Sequence, residues 1–127
     1  MSVKFLSQEW ADQLSAALNG NEAFAKAAAG QHARLQQVID GPDGEIRYWI
    51  AIEDAAITMG LGDLEGADAT ITQSYETAVK LAHRELSPVT GFMTGKIKVA
   101  GNMGMLLGLQ AVLALLPDAM ASFDVEY

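Results

Sequence analysis

Apolar and polar residues recur along this chain with two different periods. Near the N-terminus Trp10, Leu14 and Leu18 follow helical spacing behind Ser7, whose hydroxyl can cap a helix that stops at Asn19-Gly20. Asn21 can cap a second, alanine-rich helix with Phe24 on one face and Gly30 as its stop. The period then shortens to two. Ala33 to Asp40 predicts a strand, and Asp40-Gly41-Pro42-Asp43-Gly44 a turn. Ile46, Tyr48, Ile50 and Ile52 alternate with Arg47, Trp49 and Ala51, as in a strand with one buried face. Ala55, Ile57, Met59 and Leu61 alternate the same way after a tight turn near Glu53-Asp54, and Gly60 to Gly66 reads as loop. Ala69 and Ile71, between Asp68, Thr70 and Thr72, make a fourth short strand. Four strands in this succession predict an antiparallel meander.

The helical period returns after Ser74, with Tyr75, Val79, Ala82 and Leu86 near one face. Glu76 suits the positive end of that helix. Ser87-Pro88 restarts a short helix that carries Phe92 and Met93 and stops at Gly95. Lys96 to Gly101 predicts a fifth strand, with Ile97 and Val99 on one face. Asn102 then caps an apolar helix that ends at Pro117, and the tail from Ala119 offers Met120, Phe123 and Val125 for packing. Helices, then strands, then helices around a last strand make an α+β pattern. The expected sheet is five-stranded and mostly antiparallel, with helices covering one oily face.

A chain of 127 residues is one domain by size. Half its residues are hydrophobic and 19% are charged, against a usual share of about 25%. Such a chain has a dense alanine-rich core, an exposed greasy patch or an internal apolar cavity. Eight basic residues against sixteen acidic ones give a net charge of −8. That balance disfavours nucleic acid as a partner and constitutive docking on anionic lipid. Without cysteine there is no disulfide, thiolate metal site or cysteine nucleophile. The longest apolar run, Met103 to Leu116, falls short of the roughly 20 residues of a membrane span. The N-terminus shows no apolar stretch of signal-peptide length, and the C-terminal Val125-Glu126-Tyr127 is no lipidation or peroxisomal signal. The expected location is the cytoplasm.

Catalytic patterns are weak. The only histidines, His32 and His83, sit in no triad motif and lack metal-ligand spacing. Asp40 to Glu45 lacks the calcium-loop pattern and reads as a hairpin turn. Gly60-Leu61-Gly62 leads to a strand rather than a helix, and no Ser or Thr follows Lys96, so neither is a nucleotide loop. Glu76, His83 and Asp118 are the titratable groups an enzyme would have to use. No catalytic residue, metal or cofactor is expected.

The late helix is more informative. Met103, Leu106, Gln110 and Leu113 share one stripe, bordered by Leu107 and Ala114. A buried amide must find a partner, because an unmet one costs roughly 1–3 kcal/mol. Gln110 is therefore either on a wet edge, bonded to backbone or water, or a polar anchor in an apolar pocket of the kind a lipid needs. Met59, Met93, Met103 and Met105 suit a core and a permissive pocket equally.

The run from Pro88 to Met103, PVTGFMTGKIKVAGNM, resembles the signature of the sterol carrier protein family: a proline, an aromatic-Met pair, Gly-Lys, an alternating strand, then Gly-Asn-Met entering an apolar helix. Leu109-Gln110 is similar to the Leu-Gln pair further along that helix. Ala67-Asp68-Ala69-Thr70-Ile71-Thr72 resembles the family's Ala-Asp-x-Thr-Ile strand, and Trp49 also fits. The resemblance covers roughly residues 35–116. It implies a five-stranded sheet with a hydrophobic tunnel under its helices, and a non-enzymatic domain that binds fatty acids, acyl-CoA, phospholipids or sterols. Carried over, Phe92 and Met103 line the cavity and Gln110 faces its polar end. Two departures bear on the site: Ala82-His83-Arg84-Glu85 stands where the family commonly has glycine, altering the mouth, and Gly108 replaces a polar or basic position, removing a headgroup contact.

These readings converge on a lipid carrier whose expected ligand-binding set is Phe92, Met93, Ile97, Met103, Leu106, Leu109, Gln110 and Leu113. The expected partner is a hydrophobic small molecule (fatty acid, sterol or phospholipid), with transient membrane contact and no nucleic acid. A tail helix around Met120 and Phe123 is available as a lid. The alternative is an interaction or regulatory module that keeps the fold with a collapsed or repurposed cavity.

Overall fold

The computed structural model describes residues 2–127. Five of its helices begin where short polar side chains can serve a free backbone amide. Ser7 caps α1 (Gln8–Asn19) by accepting from Trp10 N, and Asn21 caps α2 (Glu22–Ala28) by accepting from Phe24 N. Ser74 does the same for α3 (Tyr75–Ala82), Ser87 for α4 (Pro88–Met93) and Asn102 for α5 (Met103–Gly108). In each case the oxygen meets the third helical amide, one of the donors a helix start leaves unmet.

The expected strands form with their ends shifted: the first, second and fourth run one or two residues beyond their patterns, and the third and fifth start one residue late. A short strand, β1 (Val3–Lys4), precedes them; β2 (His32–Gly41) and β3 (Gly44–Glu53) make a hairpin, and β4 (Ala56–Leu61) adds to it. After β5 (Ala69–Ser74) and β6 (Ile97–Gly101) the sheet order is β4-β3-β2-β5-β6. Alternation places Leu35, Gln37, Ile39, Tyr48, Ile50, Ile71, Gln73 and Ile97 on one face, and all of them are buried. The helices cover that face.

The four-strand meander is not what forms. β5 pairs with β2 in parallel, Leu35 opposite Ala69 and Asp40 opposite Ser74. Alternation is blind to strand direction, and the loop between β4 and β5 decides it. Gln36 points away from the helices, is buried, and holds that loop: its Nε2 donates to Gly62 O and Tyr48 O at 3.1 Å, and its Oε1 accepts from Leu64 N at 2.7 Å. Arg34 Nη1 donates to Glu65 O, and Asp68 Oδ2 accepts from Arg34 N. The loop therefore crosses the outer face past β3 and β2 and delivers β5 to the far side. Two acidic side chains of this loop, Asp68 and Asp63, thus have partners, since Asp63 also pairs with Arg47 at 2.8 Å.

The long apolar helix is also divided. It becomes α5, α6 (Gln110–Leu113) and α7 (Leu115–Met120). Gly108 is a weak helix former at the first break. Pro117 lacks the N–H that would bond residue 113, so the helix breaks before it and resumes with proline inside its first turn. Proline thus lies inside the last helix and does not end the run. α3 stops at Ala82, short of Leu86, because Arg84 takes a left-handed backbone at φ 61°.

The tail is strapped down. β7 (Val125–Glu126) pairs in parallel with β1, and Val3 N and Phe5 N each donate across at 2.9 Å. Met120, expected as part of a lid, is buried. No helix among the described residues is long and apolar enough to cross a membrane.

One residue sets the entry to the α5 roof. Gly101 has φ 111°, and a Cβ there would lie 2.5 Å from Asp68 O and 2.8 Å from Ala69 Cα, both backbone atoms that cannot give way. Gly101→Ala is expected to cost about 2–4 kcal/mol of folding stability, from backbone strain plus overpacking. Urea unfolding of the two proteins reads this directly, and an unchanged midpoint would refute it.

Candidate functional site

Between the sheet and its helices lies a cavity of about 600 Å³. Small-molecule pockets span roughly 300–1,000 Å³, so this is a ligand-sized space. The sheet supplies Tyr48, Ile50, Ile71, Ile97 and Val99. Ala78 and Leu81 come from α3, and α5 to α7 supply the roof, from Met103 and Leu106 to Met120. Two aromatic rings close the N-terminal side. Phe5 meets Trp10 edge-on at 5.3 Å, and Trp10 meets Tyr48 edge-on at 5.3 Å.

The roof exposes one face to the cavity and buries the other. Of the expected ligand-binding set, Phe92, Ile97, Met103, Leu106, Gln110 and Leu113 line the space. Phe92, Met103 and Gln110 are also exposed to solvent and so mark its rim. Gln110 lies on a wet edge. Two expected positions lie elsewhere. Leu109 is fully buried in the packed core, because its neighbour Gln110 takes the cavity side and α6 packs against α2. Met93 is 79% exposed beside the rim, since α4 ends there and Phe92 takes the inward position. The Leu107 side chain lies outside the described residues.

The pattern of the late helix could not find half of the wall. Trp10, Gln37, Tyr48 and Gln73 line the cavity and are buried. A signal existed for the glutamines: each occupies an inward position of a strand whose other inward residues are apolar, Leu35 and Ile39 around Gln37, Ala69 and Ile71 before Gln73. Gln73 Oε1 and Trp10 Nε1 are buried without a hydrogen-bond partner in the protein. Each such group costs roughly 1–3 kcal/mol, and native structures hold few of them.

The electrostatics are one-sided. Among the described residues, no charged side chain lines the cavity. His83 packs on Tyr127 with ring centres 4.5 Å apart. Glu76 pairs with Lys80 at 3.4 Å, and Asp118 pairs with Arg84. All three lie outside the cavity wall, and the described residues hold no group of three His, Asp or Glu side chains fit for a metal. An apolar space with neutral polar groups suits binding by burial.

Comparison with known proteins agrees with this geometry. Residues 6–114 match the model of the SCP-2 sterol transfer family. Sterol carrier protein 2 of Rattus norvegicus is 36% identical over 98 residues, which is 76% of this chain and 17% of that relative. The Gallus gallus protein of the same name is 32% identical over 90 residues, 70% of this chain and 16% of that relative. The chain thus spans less than a fifth of the length of the curated relatives it matches. Among solved structures, a crystal structure of sterol carrier protein 2 superposes with a TM-score of 0.78 at 19% identity, covering 91% of this chain and 95% of that one. A conserved hypothetical protein of Thermus thermophilus superposes at 0.79 with 21% identity, covering 98% and 94%.

Burial pushes the Tyr48 phenol well above its ordinary value. Below pH about 10 both the folded and the unfolded chain keep that proton. Above it the unfolded chain ionises first, so stability falls by about 1.4 kcal/mol per pH unit until the folded phenol also ionises. Tyr48→Phe should therefore flatten the alkaline limb of a stability-against-pH curve measured in urea. An equally steep limb in the variant would show that Tyr48 is not the group responsible.

Proposed function

Because this chain belongs to the SCP-2 sterol transfer family, we propose that it is a non-enzymatic lipid-binding domain that holds the apolar body of a fatty acid, sterol or phospholipid between sheet and helices. The observation that carries this reading is the cavity: about 600 Å³, apolar on most of its wall, and without a charged side chain among the described residues. Each methylene moved from water into such a space contributes about 0.8 kcal/mol, so a chain of ordinary length is held by burial alone. Gln110 stands at the rim, where it meets the ligand's outer end.

Loading and release occur at a membrane surface. Phe92, Met93 and Met103 form an exposed apolar group beside the opening. They can touch the hydrocarbon boundary of a bilayer while the lipid passes between the two apolar environments, so that it never crosses water. This gives Met93 a role outside the cavity. The acidic net charge keeps the contact brief, since anionic headgroups repel it.

Solvent extraction and native mass spectrometry of the purified protein should recover bound lipid. Delipidated protein should bind diphenylhexatriene and a fluorescent fatty acid saturably. Leu106→Trp fills the space from the roof and should weaken both about tenfold or more while the circular dichroism spectrum is kept. No recovered lipid and no saturable binding of either probe would end this reading.

A further inference from the structure

The buried wall of the cavity carries hydrogen-bonding chemistry that simple burial of a hydrocarbon does not use. Gln73 and Trp10 are each more than nine-tenths buried and line the space, and Gln73 Oε1 and Trp10 Nε1 have no partner in the protein. Gln37 and Tyr48 line it beside them. Strand register gathers the group. Gln37 sits opposite Tyr48 across β2 and β3, and opposite Ile71 across β2 and β5, so that Gln73 is its diagonal neighbour on the same face. Diagonal neighbours lie roughly 7–8 Å apart, a gap that long side chains can close around one small polar group. Trp10, from α1, packs its ring on Tyr48.

The donors and acceptors in this set are specific. The Trp10 indole only donates, the Gln73 carbonyl only accepts, and the Tyr48 hydroxyl does both. An alcohol oxygen both donates and accepts, so one hydroxyl can answer the indole N–H and the glutamine carbonyl together. An ionised carboxylate only accepts. It can accept from Trp10, Tyr48 and the glutamine amide nitrogens, but it leaves the Gln73 carbonyl unmet and buries its charge in a wall with no cation among the described residues. An alkane answers neither group.

We propose that Trp10, Gln37, Tyr48 and Gln73 form a recognition site for a neutral hydroxyl at the buried end of the ligand, so that the cavity selects hydroxyl-bearing neutral lipids over ionised fatty acids. The proposal rests on the lipid-binding reading above and narrows it. The polar atom goes in first, and the apolar body fills the space towards the rim. A straight-chain alcohol and a sterol share this chemistry, and their different shapes let binding tell them apart.

The test is competition against diphenylhexatriene on delipidated protein at neutral pH, with decanol, decane and decanoate as one series and cholesterol against cholestane as another. Decanol should displace the probe about tenfold better than decane or decanoate, a difference of about 1.4 kcal/mol. If the space admits the ring system, cholesterol should exceed cholestane similarly; a preference confined to decanol assigns the site to straight-chain alcohols. Gln73→Leu and Trp10→Phe, the latter keeping the aromatic packing, should each bring the decanol-to-decane ratio close to one. Equal displacement by all three chains, a preference for decanoate, or a ratio that survives both substitutions would overturn the inference. So would loss of the ratio in Gln110→Leu alone, which would put the hydroxyl at the rim. Failure of diphenylhexatriene to bind at all would overturn the lipid-binding reading together with this one, whereas probe binding without an alcohol preference overturns this one only.

Discussion

A single buried amide decides which strands stand side by side. Gln36 bonds the backbone of Gly62, Leu64 and Tyr48 from the outer face of the sheet, and so pins the loop that leaves β4. With its amide satisfied on both sides, the side chain can be buried without the penalty an unmet one carries. The loop has to cross β3 and β2, and β5 must then lie beside β2 in parallel. That placement puts Gln73 diagonal to Gln37 and brings β6 to the far edge, from which Gly101 and Asn102 launch the roof. The inner wall of the cavity is thus a consequence of a bond made on the opposite face.

The roof is built to leave space. A continuous helix from Met103 to Leu116 would bury a single stripe along its length. The breaks around Gly108 and before Pro117 let α5, α6 and α7 turn separately. Leu109 and Val112 go fully into the core, while Leu106, Gln110 and Leu113 stay on the cavity side. Packing at one face of these short helices holds them in place, so the other face need not be filled. The β1–β7 strap, closed by the Phe5 and Tyr127 rings at 4.9 Å, ties the tail to the start of the chain and keeps α7 over the space.

The same protein treats its buried amides in opposite ways. Gln36 is fully bonded and structural, whereas Gln73 on the other face has an oxygen with no partner. Stability is given up at Gln73 and Trp10, in the wall of the one space sized for a guest among those described, while the surrounding core is closely packed and apolar. Such groups are what a bound molecule with matching polar atoms would satisfy.

Periodicity and capping chemistry are local, and they were legible in the sequence. Ser7, Asn21, Ser74, Ser87 and Asn102 start their helices as read, the alternating segments become strands, and the stripe through Leu106 and Gln110 does face an apolar space. The family resemblance rested on equally local runs of residues. Partner choice is not local. Direction of β5, the buried fate of Leu109 and the strap at the termini each depend on atoms far apart in the chain. Gln37 and Gln73 show the boundary most clearly: the alternation marks both as inward-facing, yet only the register of three strands makes them neighbours and buries the Gln73 oxygen without a bond.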